Sequence, residues 1–193
     1  MIKALLQQID DLLKQPKSEH SSLAIDGMSA AGKSTLAADL SRKYNCNLVT
    51  MDDFFLRPEQ RTPERYSEIG GNIDYERFNT EIIANLKSGK TFSYRPFCCK
   101  TMKLTEPVTL IPTNLTIIEG VYSMHPYFTE QFKYDLTVFM QISETEQLNR
   151  LKKRSPLLIE NYIKKWIPME NRYFNHFHIK ENSNFIIEGN ERV

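Results

Sequence analysis

The sequence has few of the features that mark secreted, membrane-bound or disulfide-stabilised proteins. Its 193 residues include three cysteines, two of them adjacent, so it cannot build a disulfide framework, and no C-x-x-C pair is present for zinc. No stretch approaches the roughly 20 consecutive apolar residues that cross a bilayer. The segment Met1–Asp10 also lacks the continuous apolar core of a signal peptide. We therefore expect a cytoplasmic protein that does not interact with membranes.

An excess of charge of either sign is absent as well. The chain has 25 Lys and Arg residues against 24 Asp and Glu residues, for a formal net charge of +1. This balance argues against a protein whose main partner is nucleic acid. Apolar residues at 40% and aromatic residues at 11% are typical of globular proteins. Because no repeat or Gly/Ser linker interrupts the chain, we expect one domain over residues 1–193.

Apolar patterning predicts strands that alternate with helices. The predicted strands are Leu23–Ile25, Asn47–Met51, Thr91–Phe97, Val108–Ile111, Leu115–Ile118, Leu136–Ile142 and Phe185–Ile187. The predicted helices begin near Ile2, Lys33, Asp74, Ser143 and Pro156, the first of them ending at Pro16 and the fourth opening on a capping box. Such alternation predicts an α/β fold of three layers, with a mainly parallel central sheet and helices on both faces.

The segment Gly27–Ser34 reads Gly-Met-Ser-Ala-Ala-Gly-Lys-Ser, which matches the P-loop pattern G-x-x-x-x-G-K-[ST] in full. A predicted strand precedes it and a predicted helix follows it, as the motif requires. The two glycines let successive backbone N–H groups point into one concavity at the start of the helix, where they can bind phosphate. Lys33 can then reach the outer phosphates, and the Ser34 hydroxyl can ligate Mg²⁺. The motif predicts a nucleotide-binding P-loop NTPase fold.

Acidic residues follow two of the predicted strands. Glu119 ends the apolar run Leu115–Ile118, and it could hold Mg²⁺ at the ligand-binding edge of the sheet or merely open a turn before Gly120. Asp52 and Asp53 follow the strand after the P-loop helix, where they could form a turn or cap a helix. One carboxylate beside the outer phosphate could instead accept the proton of an attacking hydroxyl. We expect Asp52 to be this base and Asp53 to be a structural cap.

Two segments outside the core elements are candidates for substrate contact. Residues 52–74 contain two prolines, a Gly-Gly pair and many charges with little periodicity, which is typical of a substrate-binding insertion. Residues 150–165 begin with four cations in five positions, Arg150 to Arg154, and they form either a lid over the phosphates or a solvated helix face. We expect Arg57, Arg61 and Arg65 to be surface residues or contacts in an oligomer.

Five blocks of the sequence together resemble the uridine kinase family and its relatives, the pantothenate kinases and phosphoribulokinases. The blocks are Asp26–Leu36, Met51–Phe55, Asn72–Asp74, Ile118–Tyr122 and Arg150–Arg154. They occur in the family order from about residue 22 to residue 155. The resemblance implies ATP- or GTP-dependent phosphorylation of a small-molecule hydroxyl, most typically the 5′-hydroxyl of uridine or cytidine.

The resemblance also implies a role for individual residues. The implied catalytic residues are Asp52, Lys33 and Arg150. The implied Mg²⁺ site is Ser34, Asp52 and Glu119. The implied ATP-binding residues are Gly27, Met28, Ser29, Ala30, Ala31, Gly32, Lys33, Ser34, Thr35 and Arg154. The implied substrate-binding residues are Asp52, Phe54, Phe55, Asp74, Phe97 and Arg150, although Asp74 could equally be the N-cap of the helix that follows it.

The sequence departs from the family where the base of the nucleoside is recognised. The family has a Tyr-Asp pair and a histidine in this segment, whereas Phe97-Cys98 stands here and no histidine follows. The acceptor could therefore be a nucleoside, pantothenate or another small alcohol. A nucleotide-binding regulatory ATPase that transfers no phosphate is the alternative from another functional class. A homo-oligomer is compatible with either.

Overall fold

A parallel sheet of five strands lies at the centre of the computed structural model, which describes residues 1–14, 20–86 and 88–191. The strands are β1 (Ser21–Gly27), β2 (Cys46–Thr50), β3 (Phe92–Tyr94), β4 (Phe97–Cys98), β5 (Lys103–Leu104), β6 (Val108–Leu110), β7 (Leu115–Glu119), β8 (Leu136–Gln141) and β9 (Phe185–Glu188). The central sheet has the order β2-β7-β1-β8-β9, and all its pairings are parallel. The pairs β3–β6 and β4–β5 are antiparallel and lie outside this sheet.

Helices cover both faces of this sheet. The helices are α1 (Ile2–Lys14), α2 (Lys33–Lys43), α3 (Pro63–Ser67), α4 (Tyr75–Phe78), α5 (Ala84–Leu86), α6 (Pro126–Thr129), α7 (Glu144–Arg154), α8 (Ile159–Asn161) and α9 (Ile167–His176). Two π-helical turns, Asn79–Ile83 and Tyr162–Trp166, join α4 to α5 and α8 to α9. Among the described residues, no helix is both long and apolar enough to cross a membrane.

Side chains of the central strands alternate between two hydrophobic clusters, because successive residues of a strand point to opposite faces. On β1, Leu23 and Ile25 pack in the cluster that contains residues of α1 and α2, whereas Ala24 packs in the other cluster. The second cluster includes Phe78 of α4 and Tyr173 of α9. The two clusters give three layers, which confirms the predicted α/β fold with helices on both faces.

The predicted strands are present with shifted ends, and one of them is divided. The predicted stretch Thr91–Phe97 forms β3 and β4, because Pro96 between them has no N–H group for a strand ladder. At the start of α7 the Ser143 hydroxyl accepts a hydrogen bond from the backbone N–H of Glu146 at 3.3 Å. The Glu146 carboxylate instead accepts from Arg150, so only half of the predicted capping box forms. Pro16, the predicted end of α1, lies outside the described residues.

The segment 52–74 is folded rather than irregular. It contains the 3₁₀ turns Met51–Phe54 and Pro58–Gln60 as well as α3. Arg65 donates two hydrogen bonds of 2.7 Å to the Glu76 carboxylate, which ties this segment to α4. Such a bidentate pair constrains the orientation of the segment relative to α4.

We expect the central strand β1 to be far more sensitive to truncation than the edge strand β2. Leu23 is 0% exposed, whereas Leu48 on β2 is 38% exposed. Leu23→Ala should lower the free energy of unfolding by about 2–5 kcal/mol because it leaves a cavity in the core. Leu48→Ala is the matched control and should cost less than about 1 kcal/mol. Urea denaturation of both variants measures the difference, and equal losses would contradict this account of the core.

Candidate active site

The P-loop connects the end of β1 to the start of α2 through three residues with positive φ. Gly27 has φ +129°, Ala30 has φ +62° and Gly32 has φ +102°. A Cβ at Gly27 would lie 2.1 Å from the carbonyl oxygen of Met140 on β8, so only glycine fits there. Ala30 is strained because an L-residue with a side chain rarely adopts this backbone conformation. The backbone of the loop is therefore held by its neighbours in a shape that it would not adopt alone.

Unpaired backbone N–H groups at the start of α2 fit a phosphate. Gly32 is the N-cap residue, and it provides no side chain to cap the helix. Within the described part of the chain, the N–H groups of Gly32, Lys33 and Ser34 have no hydrogen-bond acceptor. These donors coincide with the positive end of an 11-residue helix, which favours an anion.

Lys33 is folded back over the P-loop. Its Nζ donates to the carbonyl oxygens of Gly27 at 2.7 Å and of Met28 at 2.9 Å, and the residue is buried. Four carboxylates interact electrostatically with it: those of Asp52, Glu119 and Glu170, which line the cavity, and that of the buried Asp26. Lys33 is thus the cation around which the acidic groups of the site are arranged.

Ser34 and Glu119 lie close enough to hold one cation between them. The Ser34 hydroxyl donates to Oε1 of Glu119 at 3.0 Å. Burial raises the pKa of Glu119, whereas Lys33 and the hydrogen bonds from Thr50 and Ser34 lower it. The described residues contain no cluster of three or more His, Cys, Asp or Glu ligands. Two protein oxygens nevertheless suit Mg²⁺, which usually keeps several waters and takes its other ligands from substrate phosphates.

Asp52 faces the cavity from the 3₁₀ turn that follows β2, whereas Asp53 does not. The Asp52 side chain is open to solvent within the cavity, but protein atoms surround it on most sides, and this desolvation raises its pKa. Lys33 and Arg154 act in the opposite direction. Asp53 accepts a hydrogen bond of 2.8 Å from the Tyr94 hydroxyl. It caps no helix, since Thr50 is the N-cap of this turn, so the expected capping role of Asp53 is wrong.

A cavity of about 920 Å³ joins these groups to the segments 52–74 and 150–165. Its volume lies in the upper part of the range of about 300–1,000 Å³ found for small-molecule sites. The P-loop contributes Ser29, Ala30, Gly32, Lys33, Ser34 and Thr35 to the wall. Gly27, Met28 and Ala31, also expected to bind ATP, do not line it.

The segment 150–165 contributes to the wall of this cavity, and its role as a lid stays a prediction. Arg150, Arg154, Leu158, Tyr162 and Lys165 all contribute to the wall. Arg150 donates to the carbonyl oxygens of Ala30 at 3.3 Å and of Gly189 at 3.1 Å, so it is bound to the P-loop backbone. Arg154 is exposed and interacts electrostatically with Asp52. Arg154 is therefore a cation of this segment that acts on the pKa of the expected base.

Three of the expected substrate-binding residues, Phe54, Phe97 and Asp74, lie outside the cavity wall. Phe54 is 0% exposed and packs against Phe78 and Tyr94 in the core. Phe97 is also buried, beneath the guanidinium of Arg61. Phe55, in contrast, lines the cavity. The pattern of aromatic residues could not distinguish these cases, because the backbone turn decides which ring faces the core.

Asp74 is held by protein groups. It is the N-cap of α4, accepts from the backbone N–H of Arg77 at 3.1 Å and from Gln60 at 2.8 Å, and is buried. Nε of Arg57 lies 3.8 Å from its carboxylate. Asp74 does not line the cavity. The structure therefore favours the N-cap alternative over contact with substrate hydroxyls.

Asp26 is an important residue that motif reasoning missed. It is 0% exposed and accepts hydrogen bonds from the N–H groups of Gly27 at 2.7 Å, Tyr122 at 3.2 Å and Met124 at 3.1 Å. The Tyr173 hydroxyl donates a fourth bond of 2.9 Å. A lone acidic residue at the end of an apolar strand, directly before the P-loop, was the available signal.

Glu170 of α9 is a second residue that the sequence did not indicate. It is buried, lines the cavity, and accepts from the backbone N–H of Ser29 at 3.0 Å and from the Ser29 hydroxyl. Gln147 of α7 donates to the Ser29 carbonyl at 3.1 Å. Arg150 also donates to the carbonyl oxygen of Ala30. Together these contacts fix the P-loop backbone at Ser29 and at the strained residue Ala30. No local pattern in the sequence reports this contact, which joins positions 141 residues apart.

Comparison with solved structures places this geometry in a known fold. A protein described as a possible uridine kinase from Bacillus stearothermophilus is 18% identical, with a TM-score of 0.68 over 96% of this chain and 100% of that chain. A protein provisionally assigned as a fructose transport system kinase from Silicibacter is also 18% identical, with a TM-score of 0.69 over 97% and 98% of the two chains. The chain has the fold of the P-loop kinases.

A third similar structure extends this likeness over the whole chain. D-glycerate 3-kinase from Cryptococcus neoformans is 13% identical, with a TM-score of 0.63 over 100% of this chain and 97% of that chain. A scan with protein-family models and a search of curated proteins both found no match. The P-loop kinase fold is thus shared at low sequence identity, and the predicted P-loop NTPase architecture is confirmed.

We expect Asp26 to make the stability of this P-loop kinase fold depend on pH. Burial raises its pKa from the ordinary 3.8 to about 6, against the opposing effects of the Gly27 N–H group and Lys33. Because the pKa is higher in the folded state, the stabilisation is complete below about pH 4 and is lost as the pH rises through about 6. This loss amounts to about 3 kcal/mol for a shift of about two units.

The variant Asp26→Asn tests this assignment because its side chain does not titrate. The free energy of unfolding, measured by urea denaturation at several pH values between about 4 and 7, should fall less steeply for the variant than for the wild-type protein. If the free energy of unfolding fell equally with pH in both proteins, Asp26 would not titrate in this pH range.

Proposed function

We propose that this chain is a kinase that transfers the γ-phosphate of ATP or GTP to a hydroxyl group of a small molecule. One observation carries the proposal: the Asp52 carboxylate shares a cavity with the P-loop and interacts electrostatically with Lys33 and Arg154. A nucleotide-binding protein without a transfer reaction needs no proton acceptor at this position. The names of the three similar structures, all kinases acting on different small molecules or assigned as such, support the same reaction class.

Asp52 would act as the general base. A carboxylate beside the outer phosphate can accept the proton of the acceptor hydroxyl as the oxygen attacks phosphorus. Burial raises the pKa of Asp52 and makes it a stronger base than an ordinary aspartate, whereas Lys33 and Arg154 favour its ionised form. The same two cations would stabilise the negative charge on the transferring group.

We assign Arg150 a positioning role instead of the catalytic role expected from the sequence. Its hydrogen bonds to the carbonyl oxygens of Ala30 and Gly189 make it a residue that positions the P-loop. Ser34 and Glu119 would hold Mg²⁺, with Asp52 facing the same part of the cavity. When bound, Mg²⁺ neutralises charge on the phosphates. Lys33 would supply the fixed positive charge from the protein.

The acceptor is proposed at the level of a small-molecule alcohol, with uridine or cytidine as the candidates that the resemblance implies. Asn72 lines the cavity, and its side-chain oxygen is buried without a hydrogen-bond partner among the described residues. A buried acceptor without a donor is unfavourable. A hydrogen-bond donor on a ligand would satisfy this oxygen if the Asn72 side chain turned towards the cavity. Cytoplasmic localisation and association into a homo-oligomer stay predictions.

Release of ADP from Mg-ATP in the presence of different acceptors tests the proposal. The panel should contain uridine, cytidine, pantothenate, D-glycerate and ribose derivatives. We expect at least one acceptor to stimulate release well above the rate with water alone. ATP binding without stimulation by any acceptor would favour the regulatory ATPase instead.

We expect Asp52→Asn to lower the rate of phosphoryl transfer by about 100-fold or more while ATP binding is largely kept. Asp53→Asn is the matched control, because Asp53 is adjacent in sequence but bound to Tyr94 outside the cavity. This control should keep most of the activity. Since the base must be deprotonated, kcat/KM of the wild-type protein should also decrease as the pH falls below the raised pKa of Asp52. Equal losses in the two variants would remove the basis for assigning Asp52 as the base.

A further inference from the structure

Three arginines at four-residue spacing, Arg57, Arg61 and Arg65, lie in the segment 52–74 and have different surroundings. Nε of Arg57 lies 3.5 Å from the Glu59 carboxylate and 3.8 Å from that of Asp74. Arg65 forms its bidentate pair with Glu76. The two outer arginines are therefore neutralised by carboxylates that hold the segment together, and neither lines the cavity.

Arg61, between them, faces the cavity without a carboxylate partner among the described residues. Its Nε donates to the carbonyl oxygen of Leu56 at 3.0 Å. Its guanidinium carbon lies 5.7 Å from the centre of the Phe97 ring, and Arg61 lowers the pKa of the Cys99 thiol against the larger effect of burial, which raises it. These contacts hold the guanidinium in place and leave its charge uncompensated, which corrects the expectation that Arg61 is only a surface residue.

The acidic groups of the cavity do not supply the missing partner. Asp52, Glu119 and Glu170 each interact with Lys33, and Arg154 is the further cation near Asp52. Cys99, which also lines the cavity, interacts electrostatically with both Arg61 and Asp52. Arg61 and Asp52 therefore belong to the same cavity wall, and Arg61 is a cation of that wall that none of these carboxylates neutralises.

Apolar groups lie next to Arg61 and elsewhere on the wall. The guanidinium lies over the buried Phe97 ring, and the cavity wall includes Phe55, Leu56, Ile73 and Met102. A second cation of the wall, Lys165, lies 4.4 Å from the centre of the Tyr66 ring. A positive charge in apolar surroundings binds an anion more strongly than it would in water, because fewer solvent dipoles compete for it.

We propose that the acceptor carries an anionic group, a carboxylate or a phosphate, which Arg61 binds while the hydroxyl of the same molecule faces Asp52. This inference rests on the proposed kinase activity, and it favours a hydroxy acid or a phosphorylated alcohol over an uncharged nucleoside. The planar guanidinium of arginine suits both anions, since each can accept two parallel hydrogen bonds. Arg61 would thus determine which class of alcohol is phosphorylated.

Binding of charged and uncharged acceptors to the protein saturated with Mg-ADP tests the inference without requiring turnover. The probes are D-glycerate against glycerol, and ribose 5-phosphate against ribose, with uridine as a further uncharged probe. We expect at least one anion to raise the thermal unfolding temperature more than its uncharged counterpart does. Whichever anion acts identifies the carboxylate or the phosphate as the preferred group.

Arg61→Gln should weaken binding of that anion by about 10-fold or more, since a charge-assisted pair is lost. The affinity for Mg-ADP should stay within about twofold. Arg95→Gln is the matched control, because Arg95 is exposed, bonds the Thr105 carbonyl and does not line the cavity. It should bind the anion as the wild-type protein does.

The outcomes separate this inference from the proposed kinase activity. Binding of the anions no better than of the uncharged probes would overturn the role of Arg61, as would unchanged anion binding in Arg61→Gln. Turnover of uridine that is insensitive to Arg61→Gln would also overturn it and leave the kinase proposal intact. Anion binding that depends on Arg61, with no transfer from ATP to any acceptor, would keep the anion site and reject the kinase.

Discussion

The buried carboxylate of Asp26 joins the segments on which the candidate active site depends. It lies at the end of β1 and accepts hydrogen bonds from the first residue of the P-loop, from the turn after β7 and from Tyr173 of α9. The turn after β7 follows Glu119, and α9 carries Glu170. One buried acid therefore fixes the relative positions of the P-loop, a candidate metal ligand and the helix that follows the segment 150–165. Burying this carboxylate away from water costs free energy when it is ionised, and the raised pKa of Asp26 reflects this cost.

Charged groups of both signs line the cavity. The desolvated carboxylates of Asp52, Glu119 and Glu170 all interact electrostatically with Lys33 of the P-loop. This is a suitable environment for a nucleotide that arrives with Mg²⁺, since the metal adds positive charge beside Glu119 and Ser34. Elsewhere on the wall, Arg61 carries a positive charge that no carboxylate of the described residues balances. The proposed positions of the nucleotide and of the acceptor both depend on this arrangement of charge.

The sequence could predict that residues at the ends of parallel strands lie close together, because the topology of a parallel sheet brings these ends to one edge. The carboxyl ends of β1, β2 and β7 meet at one edge of the sheet, and therefore Lys33, Asp52 and Glu119 reach one cavity even though they lie far apart in the chain. The resemblance was less informative for Phe54, Phe97 and Asp74. These side chains follow turns, and a rotation of the backbone by one residue decides whether a ring or carboxylate faces the core or the cavity.

The sequence by itself determined the α/β architecture, the phosphate-binding loop and the acidic strand ends, since each depends on local pattern and on the geometry that all parallel sheets share. Only the tertiary structure decided that Arg61 faces the cavity while Arg57 and Arg65 do not, and that Glu170 binds the P-loop. Three arginines at equal spacing look alike in a sequence. Their roles differ because the carboxylates of Asp74 and Glu76 lie within reach of two of them and not of the third. Such pairings depend on how distant segments pack, which no short motif encodes.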